Sequence, residues 1–137
     1  MRGKMFNMVR SVQSDITQAM TTLDGRVFIE DTWERPGGGG GWSRVLQGGR
    51  VFEKAGVNVS AVHGTLPPAA AKAMLERKVP VGDGAFWACG ISLVMHPHNP
   101  MAPTVHANFR YFELGDGSAP GSWWFGGGAD LTPAYLF

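Results

Sequence analysis

Through the first two dozen positions apolar residues recur at helical spacing. Met5, Met8, Val12, Ile16, Ala19 and Leu23 repeat every three or four residues, and Asp24-Gly25 supplies a stop. The pattern predicts one amphipathic helix from about residue 4 to residue 23. From Arg26 the period shortens. The runs VFIEDTW, WSRVLQ and RVFEKAGVNVSAVH read as strands, with Gly48-Gly49 as a tight turn between the last two. Thr65 near a cap position, prolines at 67 and 68 and the alanines that follow predict a second helix from Pro67 to about Arg77. Three more strand-like runs come next, AFWACGISLVMH, TVHANFRYFEL and SWWFGG, joined by PHNPMAP and GDGSAPG. Connections this short join antiparallel neighbours, because a parallel pair needs a long crossover. The expected architecture is α+β, built on a mostly antiparallel, meandering sheet, with no internal repeat and no linker dividing the chain.

Composition narrows the function classes. The chain has 137 residues and is 44% apolar, enough for a core. Its net charge is +1 with lysine and arginine dispersed, which excludes the electrostatic footprint of a nucleic-acid or anionic-membrane partner. No apolar stretch approaches the length of a membrane span. The single cysteine, Cys89, has no internal disulfide partner, and Trp87, Ala88 and Ile91 around it mark a small buried hydrophobe. A reducing compartment fits, and the expected location is the cytoplasm. Glycine comes in bursts that punctuate strands. The RPGGGGGWS burst lacks the Gly-Lys-Ser/Thr ending and the following helix of a phosphate cradle. A close backbone approach, or a flexible loop over a ligand, is the better reading.

The candidate chemistry lies in the later strands. A period of two in TVHANFRYFEL puts Thr104, His106, Asn108, Arg110 and Phe112 on one face, and Val105, Ala107, Phe109 and Tyr111 on the other. If the loop from Pro97 to Pro103 closes a hairpin, Val94 lies opposite His106 and Ser92 opposite Asn108. The result is a cleft floor of Ser, His, His, Asn and Arg. Outward polar alternation is also what the wet side of an ordinary antiparallel sheet shows. The residue mix favours a site, since a solvated face carries Lys, Glu and Thr, whereas these side chains offer directed hydrogen bonds and an anion clamp. His96 and His98 are two apart with no local third ligand, a weak metal signal. His63 reads as a strand-end residue without a role. Asp130, after the glycine bend of WWFGGGADLTP, reads equally as a turn former, a helix cap or an acid of the site.

Four strings, WERPGGGGG, RVFEKAGVNVSAVHG, HPHNPMAPTVHANFRYFE and WWFGGGADLTP, occur in the order and near the spacing of one family, and together the chain resembles the N-terminal half of an oxygen-dependent coproporphyrinogen III oxidase. The resemblance implies a large, flat antiparallel sheet covered by helices on both faces, incomplete here, with residues 1–137 as the N-terminal portion of a single domain. It implies a homodimer whose contact includes Val45 to Lys54. It further implies that Ser92 and the stretch Asn108, Phe109 and Arg110 contact the tetrapyrrole, that His106 is the proton donor and that Asp130 engages pyrrole nitrogens. His96 matches a position assigned to a divalent metal in bacterial relatives. The implied reaction uses molecular oxygen as co-substrate, with no organic cofactor, to convert two propionates of coproporphyrinogen III to vinyl groups with loss of carbon dioxide, in haem and porphyrin biosynthesis. The competing expectation is a catalytically incompetent tetrapyrrole-binding or dimerisation module.

Overall fold

Short turns carry the chain back and forth across one sheet. A computed structural model describes residues 1–136. Helix α1 (Arg2–Asp24) leads into strands β1 (Ile29–Glu34), β2 (Gly39–Gln47) and β3 (Phe52–Thr65). Helix α2 (Pro68–Glu76) follows, then β4 (Ala85–Pro97), β5 (Thr104–Leu114) and β6 (Trp123–Thr132). The six strands lie in chain order, each antiparallel to the next. The α+β class and the antiparallel meander are therefore as the short connections require.

Helix α1 forms where the periodicity places it, and Gly25 ends it in a left-handed conformation (φ 86°), its N–H donating to Thr21 O. The buried stripe differs from the hydropathy pattern. Met5, Val9, Gln13, Thr17 and Asp24 face the sheet, whereas Met8, Val12 and Leu23 are exposed. Three buried positions are thus polar, and each has partners. Gln13 Nε2 donates to the carbonyls of Trp42 and Val57, both at 2.8 Å, and Thr17 Oγ1 donates to Gln13 O. The Asp24 carboxylate accepts from the backbone N–H groups of Arg50, Val51 and Phe52 at 2.9 to 3.1 Å, tying the helix end to the β2–β3 turn. The bond from Phe52 is the leading cause of its lowered pKa. Gly49 is needed there, because a Cβ would run into the Asp24 carboxylate. Satisfied in this way, polar side chains pack without the penalty of an orphaned group.

Under α1 the core consists of Leu46, Ala55, Val57, Val59, Cys89, Ile91, Met95 and Tyr111, closed by Met5 and Val9. Burial pushes the Cys89 thiol up to about 11, so it stays an inert thiol, as its neighbours in sequence imply. The opposite face of the same strands has no helix over it among the described residues. Helix α2 buries none of its residues and contributes none to the groove on that face. Of the two helical layers expected, the described residues supply one.

Two local expectations change. Thr65 belongs to β3 rather than to a cap, and α2 begins with Pro67 as N-cap without a side-chain bond. The WWFGGGADLT run has no bend: β6 continues through all three glycines, so Asp130 is a strand residue and neither turn former nor helix cap.

Candidate active site

Register decides which side chains meet on the open face. Strand β4 pairs with β5 as Ser92↔Asn108 and Val94↔His106, the hairpin register that the seven-residue connection implies. Strand β6 then sets Asp130 opposite His106 and Gly128 opposite Asn108. On the other side, β3 sets Asn58 opposite Ser92, and β2 sets Ser43 opposite Asn58. A polar row, Ser43, Asn58, Ser92 and Asn108, therefore crosses four strands. Beside it lies a row of small residues, Gly41, Ser60 and Gly90, ending at Arg110 and Gly126. Gly90 has no space for a side chain, since a Cβ would lie 2.7 Å from Phe109 O. These missing side chains hollow the sheet surface into a groove of about 810 Å³, within the usual range for ligand pockets. Trp33, Asn58, Phe86, Ser92, His106 and Arg110 stand around it.

Two hydrogen-bonded pairs flank the groove. His106 Nδ1 lies 2.9 Å from Asp130 Oδ2, and Thr132 Oγ1 donates to Asp130 Oδ1 at 3.2 Å. The hydrogen bond from His106 is the leading cause that lowers the Asp130 pKa, so the acid is ionised at neutral pH and accepts the Nδ1–H. Nε2 is then the nitrogen left for a ligand. Nearby, Arg110 donates an N–H to Asn108 Oδ1 at 2.7 Å, which orients the guanidinium and leaves the Asn108 amide N–H groups as donors. Oriented cations and neutral donors beside an imidazole can hold a carboxylate and exchange a proton with what carries it.

Of the residues singled out in sequence, Ser92, His106, Asn108, Arg110 and Asp130 share this face. The Phe109 side chain turns to the other face, so only its main chain borders the groove. His96 lies one row beyond His106, with Thr104 Oγ1 3.4 Å from its Nδ1 and Lys54 as its strand partner. Among the described residues no three His, Cys, Asp or Glu side chains gather around it. His98 instead meets Gly49 O through Nε2 at 2.9 Å, a loop contact. Phe112 stands on the face that the period of two gives it, and Ser43, Asn58, Trp33 and Phe86 join the site unforeseen. The signal for Ser43 and Asn58 was present in the tight Gly48-Gly49 turn, which fixes the β2–β3 register and hence their shared face.

The class is α+β, with an antiparallel sheet that one helix closes on one side and that carries a polar groove on the other. The chain belongs to the coproporphyrinogen III oxidase family, whose model matches residues 4–137. It is 53% identical over 145 residues to an oxygen-dependent coproporphyrinogen-III oxidase, chloroplastic, of Glycine max, covering 99% of this chain and 37% of that protein. It is 50% identical over 144 residues to coproporphyrinogen-III oxidase 2, chloroplastic, of Arabidopsis thaliana, covering 99% of this chain and 61% of that protein. It is also 50% identical over 141 residues to the mitochondrial oxygen-dependent enzyme of Homo sapiens, covering 99% of this chain and 31% of that protein. The chain thus spans about a third to three fifths of the length of these relatives. Their names overturn the cytoplasmic expectation, since they place relatives in chloroplasts or mitochondria. A lone buried cysteine reports on redox chemistry and packing, which organelle and cytosol can share, and carries no address.

Proposed function

We propose that residues 1–137 form the N-terminal portion of a single domain that carries out oxygen-dependent oxidative decarboxylation of coproporphyrinogen III in porphyrin biosynthesis. The observation that carries this reading is the juxtaposition, on one open sheet face, of the His106–Asp130 pair and the Asn108–Arg110 pair. Arg110 binds a propionate carboxylate through charge-assisted hydrogen bonds, and Asn108 holds the guanidinium in place. Ser92 and the main chain at Phe109 add contacts along the same row. Asp130 fixes the His106 ring through Nδ1, and Nε2–H of the protonated ring is the proton donor to the bound tetrapyrrole. Asp130 is 56% exposed at its side chain, so it also accepts from pyrrole N–H groups. For each propionate, the bond to the carboxylate carbon breaks as carbon dioxide leaves, its electron pair forms the vinyl double bond, and the carbon next to the pyrrole loses a proton and two electrons, which with one further proton reduce dioxygen to hydrogen peroxide. No step is assigned to a metal at His96.

The chain acts as a homodimer through Val45 to Lys54. Supporting this are Val27, Ile29 and Val45, 67%, 74% and 38% exposed, which form an apolar surface beside that segment. Sedimentation of Val45→Asp should give monomer where the wild type gives dimer; a wild type that is monomeric at every concentration rejects the interface.

The reaction is tested by following product appearance from coproporphyrinogen III in air and in an oxygen-free control. Oxygen-dependent turnover supports the oxidase reading. Ligand binding by folded protein without turnover would replace it with a binding module.

A further inference from the structure

Three aromatic rings stand on the groove face of neighbouring strands, and the site as described leaves them without a task. Phe86 of β4 and Phe112 of β5 stack with centroids 5.6 Å apart and planes 5° apart, and Phe112 stacks on Trp124 of β6 at 4.8 Å and 23°. The second distance equals the usual separation of adjacent strands, about 4.8 Å. The rings therefore stand upright on the sheet, face against face, and turn their edges outward. The Phe86 end of the stack is closed by Arg35, whose guanidinium carbon lies 5.7 Å from the ring centroid and whose Nη1 donates to His63 O at 2.9 Å. Phe86, Phe112 and Trp124 are only partly buried, whereas Tyr111 and Leu114, beside Phe112 in the chain, are 1% and 2% exposed.

We propose that Phe112 and Trp124, backed by Phe86, form an aromatic subsite that takes the face of one pyrrole ring while Arg110 holds that ring's propionate. The inference rests on the tetrapyrrole reading above and adds the determinant of ring binding. An aromatic edge carries the positive side of the ring quadrupole, and the electron-rich face of a pyrrole carries the negative side, so the upright stack offers edge-to-face contact. Phe112 and Arg110 are two residues apart on one strand face, about 7 Å, a distance that a three-carbon acid chain spans from its ring. Between them and the facing strands the floor is the small residues Ser60, Ala88 and Gly90, which leave room for a ligand to bridge ring subsite and anion anchor. Trp33 closes the far side of the groove.

The test uses purified protein titrated with coproporphyrin III, the stable oxidised form of the macrocycle, with Kd read from porphyrin fluorescence. Phe112→Leu and Trp124→Leu keep apolar volume but remove an edge, and each should weaken binding by about 10-fold. The conservative Trp124→Phe should restore affinity to within about threefold, which simple loss of packing would not predict. In turnover of coproporphyrinogen III the leucine variants should raise KM while kcat changes little, because they act on binding alone. If Phe112→Leu does not fold, Trp124→Leu on the edge strand gives the same reading. Wild-type affinity in both leucine variants, with binding lost in Arg110→Ala, overturns the aromatic subsite and leaves the groove. Wild-type affinity in all three overturns the groove as well.

Discussion

The two faces of the central strands are made from alternate residues of the same sequence and have opposite properties. Beneath α1, Val57, Val59 and Tyr111 are at most 1% exposed, and even the polar Gln13 is fully enclosed and bonded. On the other side of those strands, Asn58, Ser92, Asn108 and Arg110 line a groove whose polar atoms face outward. Shape and saturation hold the first face together, whereas unsatisfied, oriented hydrogen-bonding capacity characterises the second. A strand period of two lets one stretch such as TVHANFRYFEL serve both, and separates the consequences of mutation by residue parity.

The largest effect expected is on the groove side. His106→Ala should reduce turnover by about 10² to 10⁴-fold, the usual share of a positioned acid or base. Its denaturant midpoint should stay close to wild type, because the imidazole is 42% exposed at its side chain. Equal loss of fold and activity would assign His106 to the scaffold. On the helix side, Met5→Ala should cost about 2 to 5 kcal/mol in urea unfolding, as a buried side chain leaves a cavity, while KM for folded protein is unchanged. A raised KM would mean that the two faces are coupled through the sheet.

The smallest effect concerns acid. Asp24 has its pKa lowered, chiefly by the Phe52 N–H, so its contribution to stability is present above the ordinary carboxylate range and is lost as pH falls through the lowered value. The melting temperature should therefore drop as pH is taken below about 4, and drop less in Asp24→Asn. Asp130 is shifted in the same direction by His106 but is exposed, so acid should uncouple that pair with little change in melting temperature. Identical acid profiles for wild type and Asp24→Asn would remove the helix-end clamp from the account.

Much of this division was legible in the chain. The seven-residue connection Pro97–Pro103 fixed the β4–β5 register, and parity then placed Ser92, His106, Asn108 and Arg110 together. The α1 stripe was half misread because hydropathy cannot anticipate a buried Gln13 or Asp24, whose burial depends on carbonyl and N–H partners more than 25 residues away in sequence. Asp130 was misplaced in structure because a run of three glycines signals a bend locally, while cross-strand bonding to β5 keeps it extended. The aromatic stack was invisible for a similar reason: Phe86, Phe112 and Trp124 lie on three strands, and only the assembled sheet shows that they stand ring to ring.

The claim that ligand is received on one face and stability supplied by the other is tested most directly by NMR during titration with coproporphyrin III. Side-chain signals of Asn58, Asn108 and His106 should shift as ligand is added, while the methyl signals of Val57, Val59 and Ile91 beneath α1 stay in place. Shifts confined to the methyls, or absent from the groove side chains at saturation, would contradict the assignment of the open face as the binding site.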